Sequence, residues 1–337
     1  MARLTKSELL RSVEHAFQAG GWSVLYLTKA GEHPARYRIT KNGESSFTVK
    51  VFIWNISHGG GSARSASEYR IQITGINPMQ FIPEVGGKTL ILGYWQQEEV
   101  FAGFDVRFHS GLLGSSPSIQ ISEDALVSAN QNRFSTHRKE TGELTVAFQP
   151  DFIGTYAQNL EPLHDVGSIR TEVLVLSNMT KDPQAISDEV IELSFSEPRR
   201  YAITQTKRAL RSLSFADRVL TAYGHQCAIC GIQLRLIDGA HILPVSEASS
   251  TDETSNGVAL CAIHHRAYDN SLLTFDENYK VHLNSERTQE LKRSGREGKL
   301  KEFESALPAV IHLPPNQSDR PKREYVVAAN LLRGWHL

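Results

Sequence analysis

The runs Cys227-Ala-Ile-Cys230-Gly231, Asp238-Gly-Ala-His241-Ile242-Leu-Pro244 and Asn256-Gly257-Val-Ala-Leu260-Cys261-Ala-Ile-His264-His265-Arg-Ala-Tyr268-Asp269 follow one another near the C-terminal end of the chain. Cys227 and Cys230 flank two residues on a tight knuckle closed by Gly231, and Cys261 and His264 repeat that separation about thirty residues later. Two such pairs can close a tetrahedral Zn²⁺ site, for which thiolate and imidazole are preferred ligands. The chain has 3 cysteines, all inside this unit. An odd number cannot pair off completely as disulfides, so the pattern points to metal.

A second polar set lies inside this frame. His241 follows a short apolar run, Asn256 precedes Gly257, and His265 stands directly beside the expected zinc ligand His264. Neighbouring residues on a helix point about 100° apart. His264 can therefore face the zinc while His265 faces a second metal.

The whole run resembles the HNH nuclease motif, or ββα-metal finger. There a first histidine on a strand, an asparagine in the loop and a last histidine on a helix form the catalytic centre. It is similar to the subgroup found in bacterial restriction endonucleases. So are the approach from Phe215 to Cys227, the stretch Ser271-Leu-Leu-Thr-Phe-Asp276, and the tail Leu313-Pro-Pro followed by Arg320-Pro321. The resemblance covers roughly residues 201 to 337.

The resemblance implies that His241 is the general base for the attacking water. It implies that His265 holds a divalent ion, Mg²⁺ or Mn²⁺, at the scissile phosphate, and that Asn256 fixes the loop and orients His241 or approaches the metal. Histidine suits the base role because its unperturbed pKa, about 6.5, lies near working pH. A hard ion supplies the Lewis acid that phosphodiester hydrolysis needs. In one respect the chain departs from the motif. Many such sites place an acidic or histidine ligand directly before the first histidine, and here that residue is Ala240. Asp238 is the nearest carboxylate and the expected further ligand of the divalent ion, with capping of an Asp-Gly turn as its alternative role. Asp269 lies one helical turn beyond His265.

Composition fits a soluble cytoplasmic enzyme. At 337 residues and 40% hydrophobic content, two domains can each bury a core. No apolar run approaches the roughly 20 residues of a membrane span, and no signal peptide opens the chain. The formal net charge is −1. Residues 1–160 carry 15 basic and 14 acidic side chains, 161–200 carry 4 and 8, and 201–337 carry 17 and 15. The acidic excess sits in the middle, so each terminal region is slightly positive, which permits DNA binding. The expected α+β organisation is a sheet-rich DNA-recognition domain over 1–160, an acidic connector over 161–200 and a zinc-stabilised HNH nuclease domain over 201–337.

The first region opens on Thr5-Lys-Ser-Glu8, a capping-box pattern. Leu9, Leu10, Val13, Ala16 and Phe17 then recur at helical spacing until Gly20-Gly21. Strand-like runs follow over 22–28, 37–40, 47–56, 69–74, 89–95, 100–106 and 118–121, suggesting a mostly antiparallel sheet. A second helix is expected from Ser122-Glu-Asp. Within 161–200, Thr171–Leu176 and Val190–Phe195 have strand character. Helical spacing resumes from Thr204 to Ala222, where Arg208, Arg211 and Arg218 suit phosphate contacts or a solvated helix face.

A ββα-metal finger alone carries little sequence information, so a nuclease needs a targeting element. The segment from Trp54 to Arg70 is the most unusual in the N-terminal region. Its glycines at 59–61 allow close backbone approach to phosphate, Arg64 and Arg70 can pair with it, and Trp54, Tyr69, Tyr94 and Trp95 offer faces for an extruded base. The alternative is a mobile hairpin with aromatics filling a core. Glu68 and Asp105 lack the lysine that a second nuclease centre of carboxylates would carry. The leading expectation is a restriction-type endonuclease on double-stranded DNA, directed to a modified base or a short sequence and acting as a homodimer. The alternatives are a ligand-gated nonspecific DNase of defence and an inactive zinc-containing DNA-binding regulator.

Overall fold

The computed structural model describes residues 3–41, 46–59 and 67–337. The chain divides into two compact units, one ending at Leu210 and the other beginning at Arg211. The N-terminal unit runs α1 (Lys6–Ala19), β1 (Trp22–Tyr26), β2 (Ala35–Lys41), β3 (Phe47–His58), β4 (Glu68–Gln72), β5 (Lys88–Trp95), β6 (Val100–Phe104) and β7 (Ser118–Ser122). It continues through α2 (Glu123–Asn132), β8 (Phe134–Arg138), β9 (Leu144–Phe148), α3 (Ile153–Gln158), α4 (Leu160–Asp165), α5 (Arg170–Lys181) and α6 (Asp188–Ser194) into α7 (Arg199–Ala222).

Helix α1 begins as its sequence demands. The Thr5 hydroxyl accepts from the Glu8 amide at 3.3 Å, and the Glu8 carboxylate accepts from the Thr5 amide at 2.7 Å. Leu9, Leu10, Val13, Ala16 and Phe17 form its buried stripe. The strands make one 9-stranded sheet of order β1-β2-β3-β5-β6-β9-β8, with β4 and β7 branching from β3. Every pairing is antiparallel except β3 with β5. Strand β3 is buried on both faces because it sits mid-sheet. Phe52, Trp54 and Ile56 join Ile71, Ile119 and Leu126 in one core, while Val49, Val51 and Ile53 fill the opposite face.

The middle of the chain corrects the strand reading of 171–176 and 190–195, which are helices α5 and α6. Glu172, Leu176, Met179 and Thr180 form a buried helical stripe, and the Ser187 hydroxyl caps α6 by accepting from the Val190 amide at 3.3 Å. The acidic residues that make 161–200 look like a linker have structural places. Glu172 is buried and receives the Arg199 guanidinium at 2.7 and 2.9 Å, and Asp188 and Glu189 fill the first turn of α6, where negative charge is favoured. Strands β8 and β9 were not expected from the sequence.

The C-terminal unit carries β10 (Ile237–His241), β11 (Gly257–Cys261), α8 (Ala262–Asp269), β12 (Leu273–Phe275), β13 (Val281–Leu283), α9 (Ser285–Arg293), α10 (Leu300–Ser305) and α11 (Arg323–Leu332). Its core joins Phe215 and Val219 of α7 to Val258 and Leu260 of β11, Tyr268 of α8, Phe275 of β12 and Val326 of α11. The molecule is thus α+β, with a large N-terminal sheet and a small ββα unit near the C-terminus. No helix among the described residues is long and apolar enough to cross a membrane.

Candidate active site

Strands β10 and β11 pair antiparallel with His241 opposite Gly257 and Asp238 opposite Leu260, and α8 follows directly on β11. The Cys227–Cys230 knuckle turns at Gly231, whose φ of +69° lies in the region glycine tolerates best. The knuckle is tied to the hairpin by Ala228, whose amide donates to the Ala259 carbonyl at 2.7 Å. These contacts bring Cys227, Cys230, Cys261 and His264 together, with ligand atoms all within 4.8 Å of one another.

The separations test whether a metal fits. Zinc–sulfur and zinc–nitrogen bonds of about 2.3 and 2.0–2.1 Å imply tetrahedron edges of about 3.8 Å between sulfurs and about 3.5 Å between sulfur and nitrogen. Cys230 Sγ lies 3.9 Å from Cys261 Sγ, and His264 Nδ1 lies 3.5 Å from Cys227 Sγ and 3.2 Å from Cys261 Sγ. The three cysteines are free. The site therefore has the donor set and spacing of a structural zinc centre. Burial opposes the Cys227 thiolate, but His264 and neighbouring backbone amides outweigh it and lower its pKa, whereas burial raises that of its partner Cys230.

His241 ends β10 on the face that packs against α7. Its ring stacks on Phe215 with centroids 3.6 Å apart and planes 11° from parallel. Gly257 permits that approach, because a Cβ there would lie 2.2 Å from Val219 Cγ2. The His241 Nε2 atom lies 3.1 Å from Asp252 Oδ1. Asp252 is nearly buried and receives Arg211 at 2.7 and 2.8 Å, while its backbone carbonyl accepts from Arg218 at 2.7 Å. An ionised carboxylate only accepts, so Nε2 carries the hydrogen and Nδ1 keeps the lone pair. Burial lowers the His241 pKa, with the Asp252 hydrogen bond and charge pulling the other way.

Asn256 is fully enclosed. Its Oδ1 accepts from the Leu243 amide at 2.9 Å, and its Nδ2 donates to the Leu243 carbonyl, Ser250 Oγ and the Thr251 carbonyl at 3.2, 3.1 and 2.9 Å. It fixes the loop, and the contact to His241 comes from Asp252 instead. Strand alternation puts Asp238 on the same face as Ala240, towards α8. His265 Nδ1 lies 3.1 Å from Asp238 Oδ2, and its Nε2 lies 3.4 Å from Asp269 Oδ2. The Asp238 hydrogen bond raises the His265 pKa against its partial burial, with Asp269 adding to the effect.

Residues 227–276 match the family described as HNH endonuclease. The C-terminal unit thus contains an HNH endonuclease domain over these residues. Residues 47–157 match the family described as Methylase-associated X1. Among solved structures, the chain is similar to a "Modification dependent TagI restriction endonuclease" at 12% identity and a TM-score of 0.30, over 84% of this chain and 81% of that one. No curated protein matches the chain.

The structure gathers the sequence-predicted residues into three groups: the zinc-type ligands, His241 with Asp252, and His265 with Asp238 and Asp269. Asp252 and Phe215 escaped the sequence reading. Nothing in Thr251-Asp-Glu-Thr distinguishes Asp252 from its neighbour Glu253, and Phe215 reads as an ordinary apolar helix position. Arg211, expected to reach phosphate, is engaged with Asp252, whereas Arg208 is exposed. Trp54 is buried with its indole N–H donating to the Thr74 carbonyl at 3.0 Å, so it serves the core and offers no open stacking face. Asp105 is bound by Arg107 at 2.7–3.0 Å. Arg70 lies mid-strand in β4, and Arg64 with most of the glycine run lies outside the described residues.

Proposed function

We propose that the chain is a restriction-type DNA endonuclease that cuts with its HNH domain and is directed to its target by the N-terminal unit. The observation that carries this reading is the His241 ring, clamped between Phe215 and Asp252 with Nδ1 left as a proton acceptor. His241 takes a proton from water at Nδ1, and the water oxygen attacks phosphorus as the bond to the 3′ oxygen breaks. Asp252 holds the tautomer and balances the charge that forms on the ring.

His265, Asp238 and Asp269 form the donor set for a divalent ion, Mg²⁺ or Mn²⁺, which would supply Lewis-acid stabilisation at the phosphate when bound. Asp238 replaces the ligand that Ala240 lacks, since residues two apart on a strand share a face. Cys227, Cys230, Cys261 and His264 hold zinc as a structural brace. A match to a family described as methylase-associated in the N-terminal unit supports a role within a restriction system.

The test compares an unmodified amplified fragment, plasmid from a methylating host and phage DNA with hydroxymethylated cytosine, each with Mg²⁺ or Mn²⁺. Discrete cutting of a modified substrate alone assigns modification dependence, and discrete cutting of all three assigns a short recognition sequence. His241→Ala protein is expected to lose at least about 10²-fold in rate, the lower range for a general base. Full activity in that variant would sink the assignment.

A further inference from the structure

The N-terminal unit has a cleft at the end of β3, in two halves of about 250 Å³ and about 340 Å³ that meet at Arg3, Asn55 and Ser57. Small-molecule sites span roughly 300–1,000 Å³, which accommodates the joined halves. Lys6 and Trp54 line the first half, and Tyr69, Trp95, Gln96 and Gln97 line the second. Among the described residues, none lining either half is acidic, in a chain with 37 acidic side chains.

The fold holds cations at this cleft. Asn55 brackets Leu4, accepting from its amide at 3.1 Å and donating to its carbonyl at 2.8 Å, which lays the segment carrying Arg3 along β3. Lys6 donates to the Ile53 carbonyl, lies 4.1 Å over the Trp54 ring and sits 3.5 Å from His33 Nε2. Among the described residues no carboxylate pairs with Lys6, and burial lowers its pKa to about 7. A half-buried amine with no carboxylate beside it, at the edge of a cleft, is suited to an anion from outside, which would favour its charged form. Register adds Arg70, which lies directly opposite Ser57 across β3 and β4 and so shares its face. Tyr69 and Trp95 line the second half with ring centroids 5.5 Å apart and planes tilted by 60°, the half-buried Tyr69 presenting its ring beside a Trp95 that packs into the core.

We propose that this cleft binds a nucleotide, its phosphate held by Arg3 and Lys6, its base against Tyr69 and Trp95, and its edge at the amides of Gln96 and Gln97. Cation, aromatic face and amide are the groups that hold phosphate, base plane and base edge. The site would then be the selecting element of the nuclease reading, on which this inference rests. The nucleotide comes either from a strand, turned out of its stack, or from solution, and the recognition chemistry is shared.

Full-length His241→Ala protein, which is not expected to cut, is titrated by fluorescence anisotropy with a labelled duplex carrying one unpaired nucleotide. The same duplex with an abasic residue at that position is the control, and nucleoside monophosphates serve as competitors. The unpaired nucleotide is expected to tighten binding by about fivefold or more, the lower end of the contribution of one stacked base. Ser57→Phe, which fills the junction of the two halves, and Arg3→Ala, at an exposed position, should each erase that difference. An unchanged melting temperature for Arg3→Ala keeps the result independent of folding. Competition by monophosphates that Ser57→Phe abolishes, with equal binding of both duplexes, assigns the cleft to a free nucleotide. Equal duplex binding with no competition overturns the proposal, as does a preference that both variants retain. A wild-type protein that cuts no DNA would instead defeat the nuclease reading, and this binding result, obtained without cleavage, would stand.

Discussion

Asp252 contributes a carboxylate to the candidate site without standing near His241 in sequence. Its Oδ1 meets His241, its Oδ2 meets Arg211, and the pair is held where water has little access. Asp252→Asn should lower kcat by about tenfold or more, up to roughly the 10⁴-fold seen when a buried carboxylate sets a catalytic histidine's tautomer, with KM little changed. The pH profile separates this role from a merely structural one. Neutral His241 is the active base, and burial holds its pKa below the ordinary value of about 6.5. Wild-type activity should therefore persist as pH falls past that value. Removing the Asp252 charge removes an influence that raises the pKa, so the acid limb should move to still lower pH as the plateau rate drops. An unmoved limb in the variant would count against the assignment.

At the scale of elements, the hairpin and α8 are braced from two sides. The Cys227–Cys230 knuckle bonds to β11 through Ala228, while Arg333 at the end of α11 donates to the Ile242 carbonyl at 2.9 Å just beyond β10. A tetrahedral ion joining the knuckle to the start of α8 would make ligand binding and folding one process. Cys227→Ala should lose the metal, and amide hydrogen exchange in β10 and β11 should accelerate far more than in β3 and β5. Retained metal, or protection in β10 and β11 equal to wild type, would contradict the zinc assignment. Much of this brace was legible beforehand because metal ligands recur at short fixed spacings, C-x₂-C and C-x₂-H. The helices α5 and α6 were not, because short apolar runs such as Val190 to Phe195 satisfy strand and helix alike until their packing partners decide.

For the whole molecule, one candidate site per chain must meet two strands of a duplex. The proposed homodimer makes a concrete expectation: double-strand cleavage should rise more steeply than linearly with protein concentration, while nicking rises linearly. Sedimentation at the same concentrations should show a species of twice the chain mass on DNA. Strictly linear double-strand cleavage by a monomeric species would remove the dimer. The near balance of 36 basic and 37 acidic residues leaves no strong overall field to draw DNA in, so the proposed DNA binding would rest on local groups of charge.

The sequence by itself determined the zinc-type ligand set, the capped first helix and most strands of the large sheet. These follow from spacing, capping and alternation, which are properties of neighbouring residues. Tertiary structure alone decided that Asp252 meets His241, that Phe215 stacks on it, that Arg211 turns inward, and that Arg3, Lys6 and Ser57 share one cleft. Asp252 lies 11 residues from His241 and 41 from Arg211, and only the closing of strands and helices into a core brings such groups into contact.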